Sequence, residues 1–225
     1  MMPQSKDKSL KFYIILFIFL GTLNNQYFKI DNLFEISDIS LNGLDTLNKN
    51  KLLQDLEVYK FSNIFNIEKK SIKNLIEKNK LVETFKVSKI YPSELKIKIN
   101  KTKFLANINV DGKFYYIGSN KKLIQTDEVN KSLPFLFGKS SVGDFIKLHE
   151  KIDNSSLKFT DINNLYFFPS TRWDIEFKNG NILKLPINYS VTILNNYHKI
   201  SQSEYFLGKK IFDMRIKNQL IINEL

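Results

Sequence analysis

The chain has 225 residues, of which 43% are hydrophobic and 13% aromatic, so it can bury a core and is not globally disordered. It contains no cysteine, which excludes a disulfide framework, a thiolate metal site and a cysteine nucleophile, and its two histidines exclude a tri-histidine metal site. The net charge of +11 comes from lysines spread along the chain, because Arg172 and Arg215 are the only arginines. This spread is typical of an AT-rich coding sequence, and we expect no nucleic-acid partner.

An apolar run follows a short basic segment at the N-terminus. Residues 10–28 would just cross a hydrocarbon layer of ~30 Å at a helical rise of ~1.5 Å per residue. The residues from Thr22 to Tyr27 do not suit signal-peptide cleavage, so an uncleaved anchor is favoured over a signal peptide and over a buried helix. The positive-inside rule places residues 1–9 in the cytoplasm and the C-terminus in the periplasm. The side chains expected to contact lipid are those of Phe12, Ile15, Phe17, Phe19 and Leu20.

The pattern over residues 34–101 predicts the order β-α-α-β-β. A short β-prone stretch ends at Asn42-Gly43, and two stretches with helical spacing follow it. Two strands then meet at the turn Tyr91-Pro92-Ser93. In the second of them, apolar residues alternate with polar ones from Leu95 to Asn100, which predicts one buried face and one lysine-bearing face in solvent. Two helices would cover the buried face of this three-stranded sheet.

Three segments of this region resemble a known family. They are Ile39-Ser40-Leu41-Asn42-Gly43, Asn63-Ile64-Phe65-Asn66-Ile67-Glu68, and the stretch from Val87 to Ile99 that reads VSKIYPSELKIKI. Together they resemble the POTRA domain of the bacterial cell-division protein family FtsQ/DivIB. The order of a short basic tail, one membrane span, one POTRA domain and a β-rich remainder also matches that family.

The remainder, residues 102–225, predicts a mainly antiparallel β domain with a few helices. Asp111-Gly112 is a hairpin signal, and helical spacing occurs at Val142–His149 and Val191–Ile200. The segment from Leu133 to Gly138 resembles a family motif of the form L-P-x-x-x-G. His149 and His198 are expected to be ordinary partly buried or surface histidines rather than metal ligands.

The clearest hairpin is Trp173–Ile187. A two-residue turn at Asn179-Gly180 would place Ile175 opposite Lys184 and mismatch the apolar faces. A three-residue loop, residues 179–181, would instead pair Phe177 with Leu183, and this second register is the prediction.

The stretch from Ile211 to Ile222 is predicted as a single strand. In the family that it resembles, the comparable strand lies at a sheet edge and adds a strand from the partner FtsB, which is β-augmentation. The alternative is an ordinary last strand of the core sheet. The resemblance implies partner-binding residues in this region, and Arg215 could present its guanidinium fork to a partner carboxylate. The predicted set is Arg172, Asp213, Arg215, Ile216, Lys217 and Asn218.

No phosphate loop, nucleotide-binding turn, serine elbow or metal-ligand spacing occurs in the sequence, so we expect neither catalysis nor a cofactor. The overall prediction is an α+β protein with an N-terminal transmembrane helix (10–28), a POTRA domain (34–101) and an FtsQ-like β domain (102–225). The resemblance implies a divisome scaffold in the inner membrane at the division septum. Its implied partners are FtsB/FtsL-like and FtsK-like proteins and the septal wall synthase complex, and a homodimer stays open.

Two other functions stay open on the sequence alone. One is a POTRA-containing accessory of protein translocation or outer-membrane assembly, and the other is binding to anionic lipid or nucleic acid through the positive charge.

Overall fold

The computed structural model describes residues 6–23, 34–206, 208 and 210–223. The chain divides into two compact units, one made of Met1–Lys78 and Phe85–Ile99 and the other of Asn79–Thr84 and Asn100–Leu225.

The N-terminal apolar run forms helix α1, Lys6–Leu23. The side chains predicted to contact lipid are all exposed, Phe17 at 78% and Leu20 at 55% among them. Within the described residues, no helix combines the length and the apolar character that crossing a membrane requires. The predicted span 10–28 is therefore not confirmed: the described helix begins earlier than predicted, at Lys6, and residues 24–28 lie outside the described part of the chain.

The first unit has the predicted β-α-α-β-β order. The elements are β1 Asp38–Asn42, α2 Thr46–Leu56 with a 3₁₀ turn at Glu57–Tyr59, α3 Lys69–Lys78, β2 Val82–Ile90 and β3 Glu94–Lys101. Strand β3 lies in the centre of the sheet, in the order β1-β3-β2, and β1 runs parallel to it. The mixed α and β composition of this region confirms the predicted architecture.

One face of this small sheet is apolar because the side chains of β3 alternate. Leu95, Ile97 and Ile99 are buried, whereas Lys96 and Lys98 are exposed as predicted. The helices contribute the other half of the core with Leu52, Leu56, Ile72 and Ile76. Each helix places these residues three or four positions apart, so that they fall on one side.

The second unit is built on a nine-stranded sheet. Its strands are β4 Phe104–Val110, β5 Lys113–Gly118, β6 Leu123–Thr126, β7 Phe135–Phe137, β8 Ile162–Phe167, β9 Trp173–Phe177, β10 Ile182–Lys184, β11 Ile211–Asp213 and β12 Ile221–Asn223. The order is β12-β11-β10-β9-β8-β7-β4-β5-β6. Most pairs of adjacent strands are antiparallel as predicted, but the pairs β4–β7, β7–β8 and β10–β11 are parallel.

Two helices complete the core of this unit, α4 Val142–Asp153 and α5 Val191–Ser201. Ser141 caps α4 by accepting a hydrogen bond from the Asp144 backbone N–H at 3.0 Å. Buried side chains of the helices, such as Phe145 and Leu194, join a row of apolar residues that crosses the sheet. The row runs in register through Leu136, Leu165, Ile175, Leu183 and Phe212.

The hairpin at Asp111-Gly112 is confirmed, with Val110 opposite Lys113 and both turn residues at positive φ. The predicted register of the β9–β10 hairpin is wrong by two residues. Leu183 pairs with Ile175 rather than with Phe177, and the loop starts one residue earlier than predicted. The reason is Gly180, which adopts φ +86° as the last loop residue, a position that favours glycine in three-residue hairpins.

The last predicted strand is also wrong, because residues 211–222 form two strands instead of one. Strand β11 pairs with β10 on one side and with β12 on the other, and Asn218 turns the chain between β11 and β12 with φ +62°. Strand β11 is therefore an interior strand, and among the described residues β12 is the edge strand on this side of the sheet. Helix α5 supplies the crossover connection that the parallel β10–β11 pair requires.

Candidate partner-binding site

Three charged residues line up across neighbouring strands of the second unit. Lys184 on β10 is directly opposite Asp174 on β9 and directly opposite Asp213 on β11. Their neighbours Ile175, Leu183 and Phe212 point into the core, so alternation turns these three to the other face of the sheet. We call Asp174, Lys184 and Asp213 the charge row.

Arg215 is paired with one end of the charge row. Its Nε donates to both carboxylate oxygens of Asp213, at 2.8 and 2.9 Å, and its Nη2 donates to Oδ2 of the same carboxylate. These hydrogen bonds lower the pKa of Asp213 and raise the pKa of the Arg215 guanidinium. The Arg215 guanidinium, which was predicted to bind a partner carboxylate, is therefore bonded to Asp213 of the same chain, although 41% of the Arg215 side chain is exposed.

Arg172 is paired with Asp174, at the other end of the charge row. Its Nε lies 3.4 Å from Oδ1 of Asp174, and its guanidinium carbon lies 4.3 Å from the ring centroid of Phe168. The two facing atoms are close enough for an ion pair but neither makes a hydrogen bond. Burial raises the pKa of Asp174, and the charges of Arg172 and Lys184 offset that effect only in part.

A cleft of about 1010 Å³ opens beside these arginines, between helix α5 and the loop of residues 214–220. We call it the α5 cleft. Five of the six predicted partner-binding residues line it, namely Arg172, Arg215, Ile216, Lys217 and Asn218. The sixth, Asp213, does not line the cleft but holds Arg215 at its wall.

Sequence reasoning missed the other wall of the α5 cleft. That wall comes from helix α5 through Thr192, Ile193, Asn196, Lys199 and Ile200, and from the segment 186–188. The helical spacing of these five residues was visible, but their mixed polarity did not single them out from a solvent-facing surface. One apolar residue on each wall is well exposed: Ile187 at 56% on this wall and Ile216 at 52% on the loop wall.

The chemistry of the α5 cleft suits a peptide rather than a small reactive substrate. Among the described residues, its lining includes the cations Arg172, Lys199, Arg215 and Lys217 and no carboxylate. Apolar side chains lie between these cations, so a segment with apolar and acidic residues would complement it. In the part of the chain that the structure describes, no group of histidine and carboxylate side chains could hold a metal ion.

The α5 cleft is continuous with a sheet edge. The loop of residues 214–220 lines the cleft and connects β11 to β12, the last strand of the sheet order. An edge strand presents backbone N–H and C=O groups that a further strand can pair with. A peptide could therefore pair with β12 and place side chains in the cleft.

Comparison with known proteins identifies two family models in this chain. The model for the FtsQ-type POTRA domain matches residues 34–101, and the model for the C-terminal domain of the cell division protein FtsQ/DivIB matches residues 106–215. The second match contains the charge row and 13 of the 18 residues that line the α5 cleft.

Individual relatives agree with these models. The cell division protein FtsQ of Rickettsia bellii is 24% identical over 203 residues, covering 85% of this chain and 73% of the relative. The cell division protein DivIB of Clostridium botulinum strain Hall is 26% identical over 155 residues, covering 66% of this chain and 60% of the relative. The solved extracytoplasmic domain of DivIB from Geobacillus stearothermophilus has a TM-score of 0.34 and 11% identity, covering 48% of this chain and 93% of that domain.

Proposed function

This chain belongs to the FtsQ/DivIB family of cell-division proteins, and we propose that it acts in division as a non-catalytic scaffold. In this proposal the POTRA domain, residues 34–101, and the β domain, residues 102–225, bind other division proteins of the FtsB/FtsL and FtsK kinds. Their assembly then recruits the septal wall synthase and helps to control it. The observation that carries the proposal is the α5 cleft, which adjoins the β12 edge and is lined by cations.

The proposed contact combines backbone and side-chain recognition. A partner strand adds to β12 as a tenth strand, and main-chain hydrogen bonds supply affinity without regard to sequence. Alternate side chains of the partner enter the α5 cleft, where Ile187 and Ile216 offer apolar surface. Arg172 and Arg215, held in place by Asp174 and Asp213, favour acidic residues beside that strand.

Membrane attachment is the second part of the proposal. Helix α1 exposes apolar side chains along its length, and Lys6, Lys8 and Lys11 stand at its N-terminal end. We propose that this segment, continued by the residues after it, anchors the chain in the inner membrane with the N-terminus in the cytoplasm and the C-terminus in the periplasm. A scaffold on a membrane meets its partners at a raised local concentration, so individually weak interfaces are sufficient.

The binding test uses the full chain, co-expressed in membranes with an FtsB-like protein of the same organism and captured by affinity. One variant ends after Leu220 and lacks β12, and a second, Ile216→Asp, places a negative charge in the α5 cleft while keeping the strand. Both are expected to lose capture of the partner. Val129→Asp is the matched control, because Val129 is an exposed apolar residue outside the cleft lining. Full capture by both cleft variants would reject the site.

Localisation tests the remaining parts. A reporter that is active only in the periplasm, fused to the C-terminus, should be active, and activity of a cytoplasm-only reporter would overturn the orientation. A fluorescent fusion should concentrate at midcell in dividing cells. A uniform peripheral signal would favour an accessory of translocation or outer-membrane assembly instead.

A further inference from the structure

Three aromatic rings form a partly exposed cluster on the first unit. Phe34 and Phe65 meet edge to face with ring centroids 5.0 Å apart, and Phe65 stacks on Tyr91 at the same distance. Phe65 is 54% exposed and Tyr91 56% exposed. Aromatic rings in mutual contact are ordinarily buried as core, so a cluster that leaves more than half of Phe65 and of Tyr91 in solvent needs a reason.

Phe61 is a further exposed aromatic residue of the first unit. It is 76% exposed and has φ +63°, in the left-handed region that a bulky residue rarely adopts. Its backbone N–H donates to the Ile36 carbonyl at 3.0 Å, and the Ile36 N–H donates to the Ser62 carbonyl at 3.0 Å. These bonds hold an unfavourable backbone conformation whose result is an outward-facing phenylalanine.

The four residues lie where the chain enters the first unit. Phe34 is the first described residue after helix α1, and its carbonyl accepts from the Ile64 N–H at 2.8 Å. Glu35 and Asn63 form a β-bridge, and the Ser37 N–H donates to the Ser93 carbonyl at 3.0 Å, beside Tyr91. The segments that carry Phe61, Phe65 and Tyr91 are therefore all bonded to the entering segment. We call Phe34, Phe61, Phe65 and Tyr91 the entry cluster.

The length of chain between α1 and the entry cluster limits their separation. From Leu23 to Phe34 there are eleven peptide steps, which span at most roughly 40 Å when fully extended. If α1 is in the membrane, the entry cluster is within reach of the headgroup layer on the outer side. A protein partner would have no such constraint on where it binds.

We propose that the entry cluster is a lipid-contact surface that seats the first unit on the outer headgroup layer of the inner membrane. This inference rests on the proposed membrane anchor. A tyrosine ring favours the boundary between hydrocarbon and water, where its apolar ring and its hydroxyl are both accommodated, and phenylalanine rings bury their apolar surface at the same boundary. Lys89 adds a cation beside the cluster, since its Nζ lies 3.4 Å from the Phe65 carbonyl oxygen and 3.2 Å from the Ile67 carbonyl oxygen. A lysine that lies beside the headgroup layer attracts anionic headgroups.

The absence of cysteine from the chain allows a direct test. Phe61→Cys and, separately, Tyr91→Cys carry an environment-sensitive fluorophore in the full chain, reconstituted in vesicles of phosphatidylethanolamine and phosphatidylglycerol. Leu47→Cys is the matched control, because Leu47 is 84% exposed on the same unit and lies outside the entry cluster. We expect the emission of the labels at positions 61 and 91 to shift to shorter wavelength and to be quenched by brominated lipid, and the label at position 47 to do neither.

Extraction with alkaline carbonate separates the two possible failures. If the chain resists extraction and the labels at 61 and 91 remain aqueous, the lipid contact is overturned while the anchor stands. Equal shifts at all three positions would also overturn it, since the contact would not be specific to the entry cluster. If carbonate removes the chain from the vesicles, the proposed anchor fails, and the lipid contact fails with it.

Discussion

Asp174 and Asp213 flank the same lysine, because Lys184 on β10 is opposite Asp174 on β9 and opposite Asp213 on β11. The pKa values of the two carboxylates are nevertheless shifted in opposite directions. Arg215 surrounds Asp213 with hydrogen bonds and lowers its pKa, whereas burial dominates at Asp174 and raises its pKa. Arg215, on the loop wall of the α5 cleft, is thus held to the sheet by a strong ion pair, and Arg172, between β8 and β9, by a weaker one.

Replacing Asp213 by Asn should make the stability of the chain less dependent on acid pH. A pKa lowered in the folded state contributes stability above the ordinary carboxyl pKa of 3.8, and that stability is lost as pH falls through the folded-state pKa. At pH 7 we expect Asp213→Asn to reduce the free energy of unfolding by about 1–3 kcal/mol, the usual range for hydrogen bonds to charged groups. Urea denaturation between pH 2 and 7 measures this, and a deficit that persists unchanged at the lowest pH would contradict it.

The pair of Arg172 and Asp174 should show energetic coupling. Arg172→Ala removes the nearest cation from a buried carboxylate, and we expect a loss of about 1–3 kcal/mol in the free energy of unfolding at pH 7. In a chain that already carries Asp174→Asn, the same Arg172→Ala change should cost clearly less, because no buried charge remains to be left alone. Equal costs in the two backgrounds, measured by denaturation of all four proteins, would show that the residues act independently.

Two glycines of similar conformation should respond differently to a methyl group. Gly138 and Gly180 have φ +92° and +86°, so alanine is strained at both by about 1–2 kcal/mol. At Gly138 the new Cβ would also lie 2.0 Å from the Phe167 carbonyl oxygen, whereas at Gly180 it would meet open space. We expect Gly138→Ala to cost about 1–3 kcal/mol more than Gly180→Ala, by the usual penalty for overpacking. Thermal unfolding of the two variants decides this, and equal losses would mean that the carbonyl moves away easily.

A charge placed in the α5 cleft should affect binding and leave folding intact. Ile216 is 52% exposed on the loop of residues 214–220, so Ile216→Asp is expected to change the free energy of unfolding by no more than about 0.5 kcal/mol. Capture of an FtsB-like partner should still fall by at least tenfold, while Val129→Asp retains it. A large loss of stability in Ile216→Asp would show instead that the loop contributes to the core.

Local sequence patterns were sufficient for much of this fold. The alternation from Leu95 to Asn100 gave the correct faces of β3, and the spacing in Val191–Ile200 located α5 almost to the residue. Patterns of this kind depend only on which side of an element faces the core. They contain no information about which non-adjacent strand lies next to it.

The two wrong predictions, the register of the β9–β10 hairpin and the single strand over residues 211–222, follow because alternation does not specify strand neighbours. A shift of two residues in the β9–β10 hairpin keeps every apolar residue on its correct face, so alternation alone could not choose between the registers. In residues 211–222, Met214, Leu220 and Ile222 pack against the core from a loop and a second strand, which imitates one long strand. The parallel pairing of β10 with β11 arises only from the path of α5 and is not encoded locally.

For the candidate site, the resemblance to a family was sufficient to predict the residues of the 214–220 loop. The ion pairs that these residues make could be seen only in the folded structure. Arg215 was predicted to offer its fork to a partner and is instead bonded to Asp213. The sequence analysis did not predict that α5 lines the α5 cleft, because the two walls are distant in sequence and only tertiary structure brings them together.

The two arginine–aspartate pairs also bear on how this gene tolerates change. Arginine and lysine codons can differ by a single nucleotide, and exchanging one residue for the other leaves both the net charge and the overall composition class of the chain unaltered. At Arg172 and Arg215, however, the planar guanidinium stacks on Phe168 or donates as a fork to both oxygens of Asp213, and an ammonium group lacks that planar geometry. Arg172→Lys and Arg215→Lys, which conserve the charge, are therefore still expected to weaken these two pairs.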